Sequence, residues 1–314
     1  MSGAPERPAV LVRDAAHTVI ARQVREIRRQ ETLVLRGGAP DAIHDMRVAT
    51  RRLRAALAVF RDVAVLPKAG RRRRRRRLRW LARQLGRVRD LDVRTALLAG
   101  QYLPRVAGEE AARVGGLLAR LAERRAAAYR RLRRGLRRRR YRRLRVVLGG
   151  WVRSPECGGA ADEGAARFMM DAVDRAALRV DGHDAMRDAR PSGEALHDLR
   201  IAVKWLRYAL DFHAEACGPA DPAELALARE LQDCLGDLRD HDLLLAALSE
   251  DGDDGRPWPQ LTAAVEQGRR KLWRRFLQLR RRWRVLTQPP RTVAPIEQPR
   301  FVSLDAAPVL RLVG

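Results

Sequence analysis

Leucine, alanine and valine recur three and four positions apart along most of this 314-residue chain, and arginine fills the positions between them. That spacing puts apolar side chains on one stripe of an α-helix and charged ones opposite. Alternating apolar and polar runs bounded by hairpin turns, the mark of strands, do not occur. Ala, Leu and Arg are also strong helix formers, so propensity and pattern agree. Glycine and proline interrupt the pattern at Gly37 to Pro40, Pro67 to Gly70, Gly100 to Gly108, Gly149 to Gly164, Pro191 to Gly193, Gly218-Pro219 and Gly252 to Pro259. Between these breaks the pattern predicts four helices before residue 150 and four after residue 160. After Leu286 five prolines (Pro289, Pro290, Pro295, Pro299 and Pro308) predict an irregular tail over 287–314.

The two halves repeat. His44-Asp45-Met46-Arg47-Val48-Ala49 matches His197-Asp198-Leu199-Arg200-Ile201-Ala202, and the match runs on through Leu53-Arg54 and Leu206-Arg207, with Phe60 and Phe212 following one position out of register. A second pair follows: Leu85-Gly86-Arg87-Val88-Arg89-Asp90-Leu91-Asp92 against Leu235-Gly236-Asp237-Leu238-Arg239-Asp240-His241-Asp242. The offset is 153 residues in the first pair and 150 in the second. A period that long is a duplicated domain rather than a solenoid unit. Shared arginine and leucine bias does not produce ordered identities in two separate blocks. The expected division is therefore 10–150 and 160–286, each a four-helix bundle, followed by the tail.

On a helix at about 100° per residue, His44, Arg47, Arg51 and Arg54 fall within about 80° of one another. Met46, Leu53, Leu57 and Phe60 fall on the opposite side. The second half repeats the arrangement, with His197, Arg200, Lys204 and Arg207 against Leu199, Leu206 and Leu210. A charged stripe on an amphipathic helix is ordinarily solvated surface. Here, however, like charges at neighbouring positions destabilise the helix unless an anion compensates them. The stripe recurs in both halves without an acidic residue in it. Arginine's planar fork binds phosphate oxygens bidentately and stays charged. A histidine among cations charges further when a phosphate offsets its neighbours. The stripe therefore reads as an anion site.

Composition strengthens this. Lys plus Arg number 65 against 38 Asp plus Glu, a formal net charge of +27. Only Lys68, Lys204 and Lys271 are lysines. A protein this basic attracts polyanions, and an ordinary neutral metabolic enzyme is not the expected class. From residue 71 to 145 there are 28 arginines against 5 acids, including an unbroken run Arg71 to Arg77. Within it Arg72, Arg76, Arg79, Arg83 and Arg87 predict an extended basic groove. The three cysteines, Cys157, Cys217 and Cys234, form no CxxC pair and predict neither disulfide framework nor zinc ribbon. The opening residues lack the charged-then-apolar pattern of a signal peptide, and no run of ~18 apolar residues spans a membrane, so a cytoplasmic protein with no membrane partner is expected.

The Arg-Asp-x-Asp elements carry Asp90 and Asp92 in the first half and Asp240 and Asp242 in the second. They invite a metal reading. The favoured reading is that these carboxylates orient neighbouring arginines. Adjacent His44-Asp45 and His197-Asp198 point about 100° apart, which disfavours a metal. Asp237, Asp240 and His241 do share a face, but the first half has Arg87 and Leu91 at two of those positions. His17, His183 and His213 lie outside the stripe. Trp80, Trp205, Trp273 and Trp283 fit packing positions.

The paired H-D-h-R-h-A blocks (h apolar), each followed by L-G-x-h-R-D-x-D, resemble the CHAD family of helical domains named for their histidines. The resemblance covers about residues 10 to 286. It implies an all-α fold of two four-helix bundles related by a pseudo-twofold axis, with a basic central groove or channel. It also implies binding of inorganic polyphosphate and association with polyphosphate granules. The positions carried over are His44, Arg47, Arg51, Arg54, His197, Arg200, Lys204 and Arg207. Lys204 departs from arginine, and Trp205 stands opposite Arg52. The E-x-E-x-K signature of the triphosphate-tunnel domain, a frequent companion in such proteins, is missing.

Three functions compete. The first is polyphosphate binding without catalysis, and it implies no cofactor and no metal. The second is non-specific nucleic-acid binding, which shares its electrostatics because phosphate contacts are sequence-blind. The third is a metal-dependent phosphoanhydride hydrolase using the four aspartates. Nothing in the sequence speaks to oligomeric state.

Overall fold

The computed structural model describes residues 10–37, 40–61, 63, 71–153, 157, 160–250 and 256–287. Among them the chain is helical, with one isolated antiparallel bridge between Leu11 and Gly164. The helices are α1 (Val12–Arg36), α2 (Pro40–Val59), α3 (Arg71–Ala96), α4 (Gly108–Arg137), α5 (Arg139–Arg153), α6 (Ala165–Asp181), α7 (Asp184–Arg187), α8 (Gly193–Ala216), α9 (Pro222–Glu250) and α10 (Pro259–Leu286). Two of the anticipated breaks are held by left-handed glycines, Gly108 at φ 59° and Gly218 at φ 110°, a region glycine enters without steric cost. The Pro-rich tail lies outside the described residues.

The long helices of each half pack in chain order. In the first half α2 lies on α1, α3 on α2 and α4 on α3. In the second α8 lies on α6, α9 on α8 and α10 on α9. Two helices fall outside that count. The single turn α7 precedes α8, and α5 is cut from α4 at Arg138, whose backbone is extended (φ −74°, ψ 151°). Neither glycine nor proline marks that cut. It lets α5 turn back so that Tyr141 and Leu144 bury against α1, with the Tyr141 hydroxyl donating to Glu31 at 3.0 Å.

Three apolar clusters follow from the stripes. One gathers Val19, Ile43, Met46, Leu53, Phe60, Leu81 and Leu85. A second gathers Leu199, Val203, Leu206, Leu231, Leu235, Phe276 and Trp283. Burying each large side chain is worth roughly 1.5–3 kcal/mol. Helix α8 serves both, because its Trp205, Tyr208 and Phe212 pack into the first-half cluster. The halves thus share a core at α8. They meet again in the third cluster, where Tyr102, Val114 and Leu121 pack with Leu244, Trp258 and Leu261. There Glu110 of α4 accepts from the backbone N–H groups of Leu261 (2.7 Å) and Gln260 (3.1 Å). The carboxylate satisfies donors that the first turn of α10 would otherwise leave open. Among the described residues no helix is long and apolar enough to cross a membrane.

Candidate functional site

The packing of α8 against α2 brings the two basic stripes towards each other. Burial holds the Arg207 guanidinium below its ordinary pKa, and the Arg51 and Arg52 charges add to this against the pull of Asp211. Arg51 of the first half and Arg207 of the second are therefore electrostatic neighbours. Arg207 also donates to Gln232 at 2.7 Å. Arg47 reaches Asp90 on α3 at 3.6 Å. The Asp240 carboxyl is pushed up to about 6, first by burial, then by Asp237 and Asp90, against Arg200 and Arg47. So Asp90 and Asp240, one from each Arg-Asp-x-Asp element, are electrostatic neighbours, and Arg47 and Arg200 act on the same carboxyl.

A further cation, Arg94, joins this centre. Burial depresses its pKa, and Asp90 and Asp240 pull it back up. It lies outside the repeated stripe but one turn beyond Asp90 on the same face of α3, the signal in the sequence that points to it. The Nε atoms of Arg47 and Arg51 are buried with no hydrogen-bond partner among the described residues. His44 sits half-buried beside them. Its pKa is lowered chiefly by burial, then by Arg89, Arg51 and Arg47 against Asp45.

The remaining stripe positions divide. Arg54, His197 and Arg200 are half-buried. Lys204 is 1% exposed and belongs to the interior rather than to an open stripe, because α8 is covered on both sides. Arg72, Arg76, Arg79, Arg83 and Arg87 are all exposed and share the face of α3 that ends in Asp90 and Arg94. They form a ridge leading to the centre.

The other two aspartates of the motifs are engaged. Asp92 pairs with Arg125 of α4, and Asp242 accepts from Arg269 of α10 at 2.5 Å. Each pair ties the third long helix of its half to the fourth. Arg52, opposite Trp205 in the repeat, bridges from α2 to Asp211 (2.7 Å) and Glu215 (3.2 Å) on α8. Among the described residues no group of three His, Cys, Asp or Glu side chains could hold a metal. His17 contacts the Val152 carbonyl at 2.9 Å, and His183 caps α7 by accepting from Ala185 N–H. Trp205 and Trp283 are buried, and Trp283 donates to Asp181 at 2.6 Å.

The arrangement is a half-buried cluster of arginines from both halves, with two carboxylates set between them and an exposed arginine ridge leading in. A model of the CHAD domain matches residues 18–249. Among solved structures, the CHAD domain from the plant Ricinus communis superposes with a TM-score of 0.65 at 26% identity, covering 91% of this chain and 93% of that one. PptA from Streptomyces chartreusis superposes with a TM-score of 0.66 at 20% identity, covering 88% and 99%. Comparison with curated proteins returns no match.

Proposed function

Because the chain belongs to the CHAD domain family, we propose that it binds inorganic polyphosphate without turning it over, at the centre where α2, α3 and α8 converge. The observation that carries this reading is the desolvated arginine cluster drawn from both halves. Arg94 and Arg207 are buried enough to lose pKa, and the buried Nε donors of Arg47 and Arg51 have no hydrogen-bond partner among the described residues. Such a cluster is costly until an anion enters, and a phosphate chain supplies bidentate acceptors at each residue. Asp90 and Asp240 hold the arginines apart and aimed. The α3 ridge extends the track for a long polymer. Binding of this kind implies association with polyphosphate granules.

Two features favour this over nucleic acid or hydrolysis. Trp205, Trp258, Trp283 and Tyr208 are buried, the half-buried Trp80 carries Arg140 over its ring at 5.2 Å, and the half-buried Trp273 packs on Phe276, which leaves little aromatic surface for stacking bases. Asp92 and Asp242 are spent on Arg125 and Arg269, which fits a positioning role for the motif.

The test replaces Arg47, Arg51 and Arg200 by glutamine and measures polyphosphate affinity against salt. Each lost charge-assisted contact is worth ~1.5–3 kcal/mol, so the triple variant should bind far more than tenfold weaker, with a shallower salt slope. A control with the exposed Arg167, Arg187 and Arg190, which lie off the α3 ridge, changed to glutamine carries the same net charge. Equal loss in the control would mean that the protein is a diffuse cation sponge and the central site is wrong.

A further inference from the structure

One cavity lies beside the central cluster but differs from it in chemistry. It has a volume of about 370 Å³ and opens between the end of α3 and the facing turns of α9 and α10. Val93, Leu97 and Leu272 give it an apolar wall. Asp237 and Asp240 on α9 offer acceptors, and Arg89, Arg105 and Lys271 offer positive charge.

The floor of the cavity is built with care. His241 is 3% exposed. Its Nδ1 contacts the Asp237 carbonyl at 2.7 Å, and a carbonyl can only accept, so Nδ1 carries the proton. Nε2 is then the acceptor for the Tyr102 hydroxyl at 2.5 Å. Gly268 makes this contact possible. A Cβ there would lie 2.5 Å from the Tyr102 hydroxyl and 3.0 Å from His241 Nε2. Tyr102 itself closes a π-turn, Leu97–Tyr102, that continues α3, and π-turns of this kind gather at functional sites.

The repeat breaks at this place. Asp240 has its counterpart in Asp90, and the Asp92–Arg125 and Asp242–Arg269 pairs correspond. Asp237 and His241, however, stand where the first half has Arg87 and Leu91, and Gly268 stands where it has Arg124. A site that exists in one half only does not serve the shared stripe. A bare phosphate chain also fits it poorly. Polyphosphate has no hydrogen to donate to Asp237 and Asp240 and no apolar part to lie on Leu97 and Leu272.

We propose that this cavity binds a ribonucleotide. The ribose diol donates to Asp237 and Asp240, the base lies on the Val93, Leu97 and Leu272 wall, and the phosphate faces Arg89, Arg105 and Lys271. The volume suits a small ligand, within the usual ~300–1,000 Å³ of such pockets. The proposal does not depend on polyphosphate being the ligand of the central cluster.

The probes are the four ribonucleoside 5′-monophosphates, their 2′-deoxy counterparts and inorganic pyrophosphate, titrated calorimetrically on the full chain at physiological salt. At least one ribonucleotide should bind about tenfold or more tightly than its deoxy form, since a hydroxyl donating to a carboxylate is lost. Leu97→Trp, which fills the cavity without changing charge, should abolish that binding while circular dichroism and polyphosphate affinity stay as in the wild type. Asp237→Asn, which replaces one of the two carboxylate acceptors by a weaker amide oxygen, should reduce the ribose preference, and it keeps the proposal testable if Leu97→Trp does not fold. Ribonucleotides binding no better than pyrophosphate, or equally well to Leu97→Trp or Asp237→Asn, would overturn it.

Discussion

Arg52 lies outside the proposed binding stripe, yet it should matter as much as any residue in it. Its guanidinium joins α2 to Asp211 and Glu215 on α8 at 2.7 and 3.2 Å. The side chain is 18% exposed and the two carboxylates 7% and 6%, so water repairs little when it is removed. Breaking a buried ion pair costs about 3–5 kcal/mol because a charge is stranded. Here the stranding is partial. Asp211 keeps Arg229 at 3.0 Å and Arg207 at 3.7 Å, and Glu215 keeps Arg22 at 3.5 Å. Arg52 also lies over the Phe212 ring, 5.3 Å from its centroid, which contributes about 0.5–1 kcal/mol. Arg52→Ala should therefore cost about 2–4 kcal/mol in urea unfolding. Arg22→Ala, whose side chain is 67% exposed, should cost less than about 1 kcal/mol. Because Arg52 fixes α2 on α8, its loss should also weaken polyphosphate binding although Arg51 and Arg207 remain. An Arg52→Ala protein within about 0.5 kcal/mol of wild type would refute the claim that this clasp holds the halves together.

Three further outcomes follow from other contacts. The Asp240 carboxyl, raised to about 6 between Asp237, Asp90, Arg200, Arg47 and Arg94, is neutral in acid, so its contribution to stability is present at low pH and is lost as pH rises through about 6. Polyphosphate affinity should rise over the same interval on acidification, and Asp240→Asn should flatten that profile, leaving only the part due to His44; an unchanged profile in fluorescence titrations would refute this. Gly135→Ala should lose ~1–3 kcal/mol in thermal unfolding, because the new Cβ would sit 2.9 and 3.1 Å from the Trp80 ring, whereas Gly150→Ala, with nothing within 4 Å, should be neutral or stabilising. Leu206→Ala, fully buried in the second-half cluster, should cost about 2–5 kcal/mol by urea unfolding.

The residue pattern alone determined a great deal here. The helical class, most of the breaks, the core stripe through Met46, Leu53, Leu199 and Leu206, and the cationic stripe opposite are all local periodicities, and a helix displays them wherever it packs. The cut at Arg138 was illegible, because no glycine or proline marks it and the burial of Tyr141 against α1 decides it. Lys204 looked like Arg51 in the repeat, yet it is buried where Arg51 is only half-buried, because α8 packs against α6 and α9 of its own half and also against α1 and α2 of the first. Trp205 in place of Arg52 is the residue-level trace of that difference, but its meaning depends on what α8 touches. Arg94, the closeness of Asp90 and Asp240, and the Tyr102–His241 contact over Gly268 all join residues far apart in the chain. Helical period assigns a side chain to a face; which faces meet is set by the packing of whole helices, and only there do charges close enough to shift one another's pKa become a site.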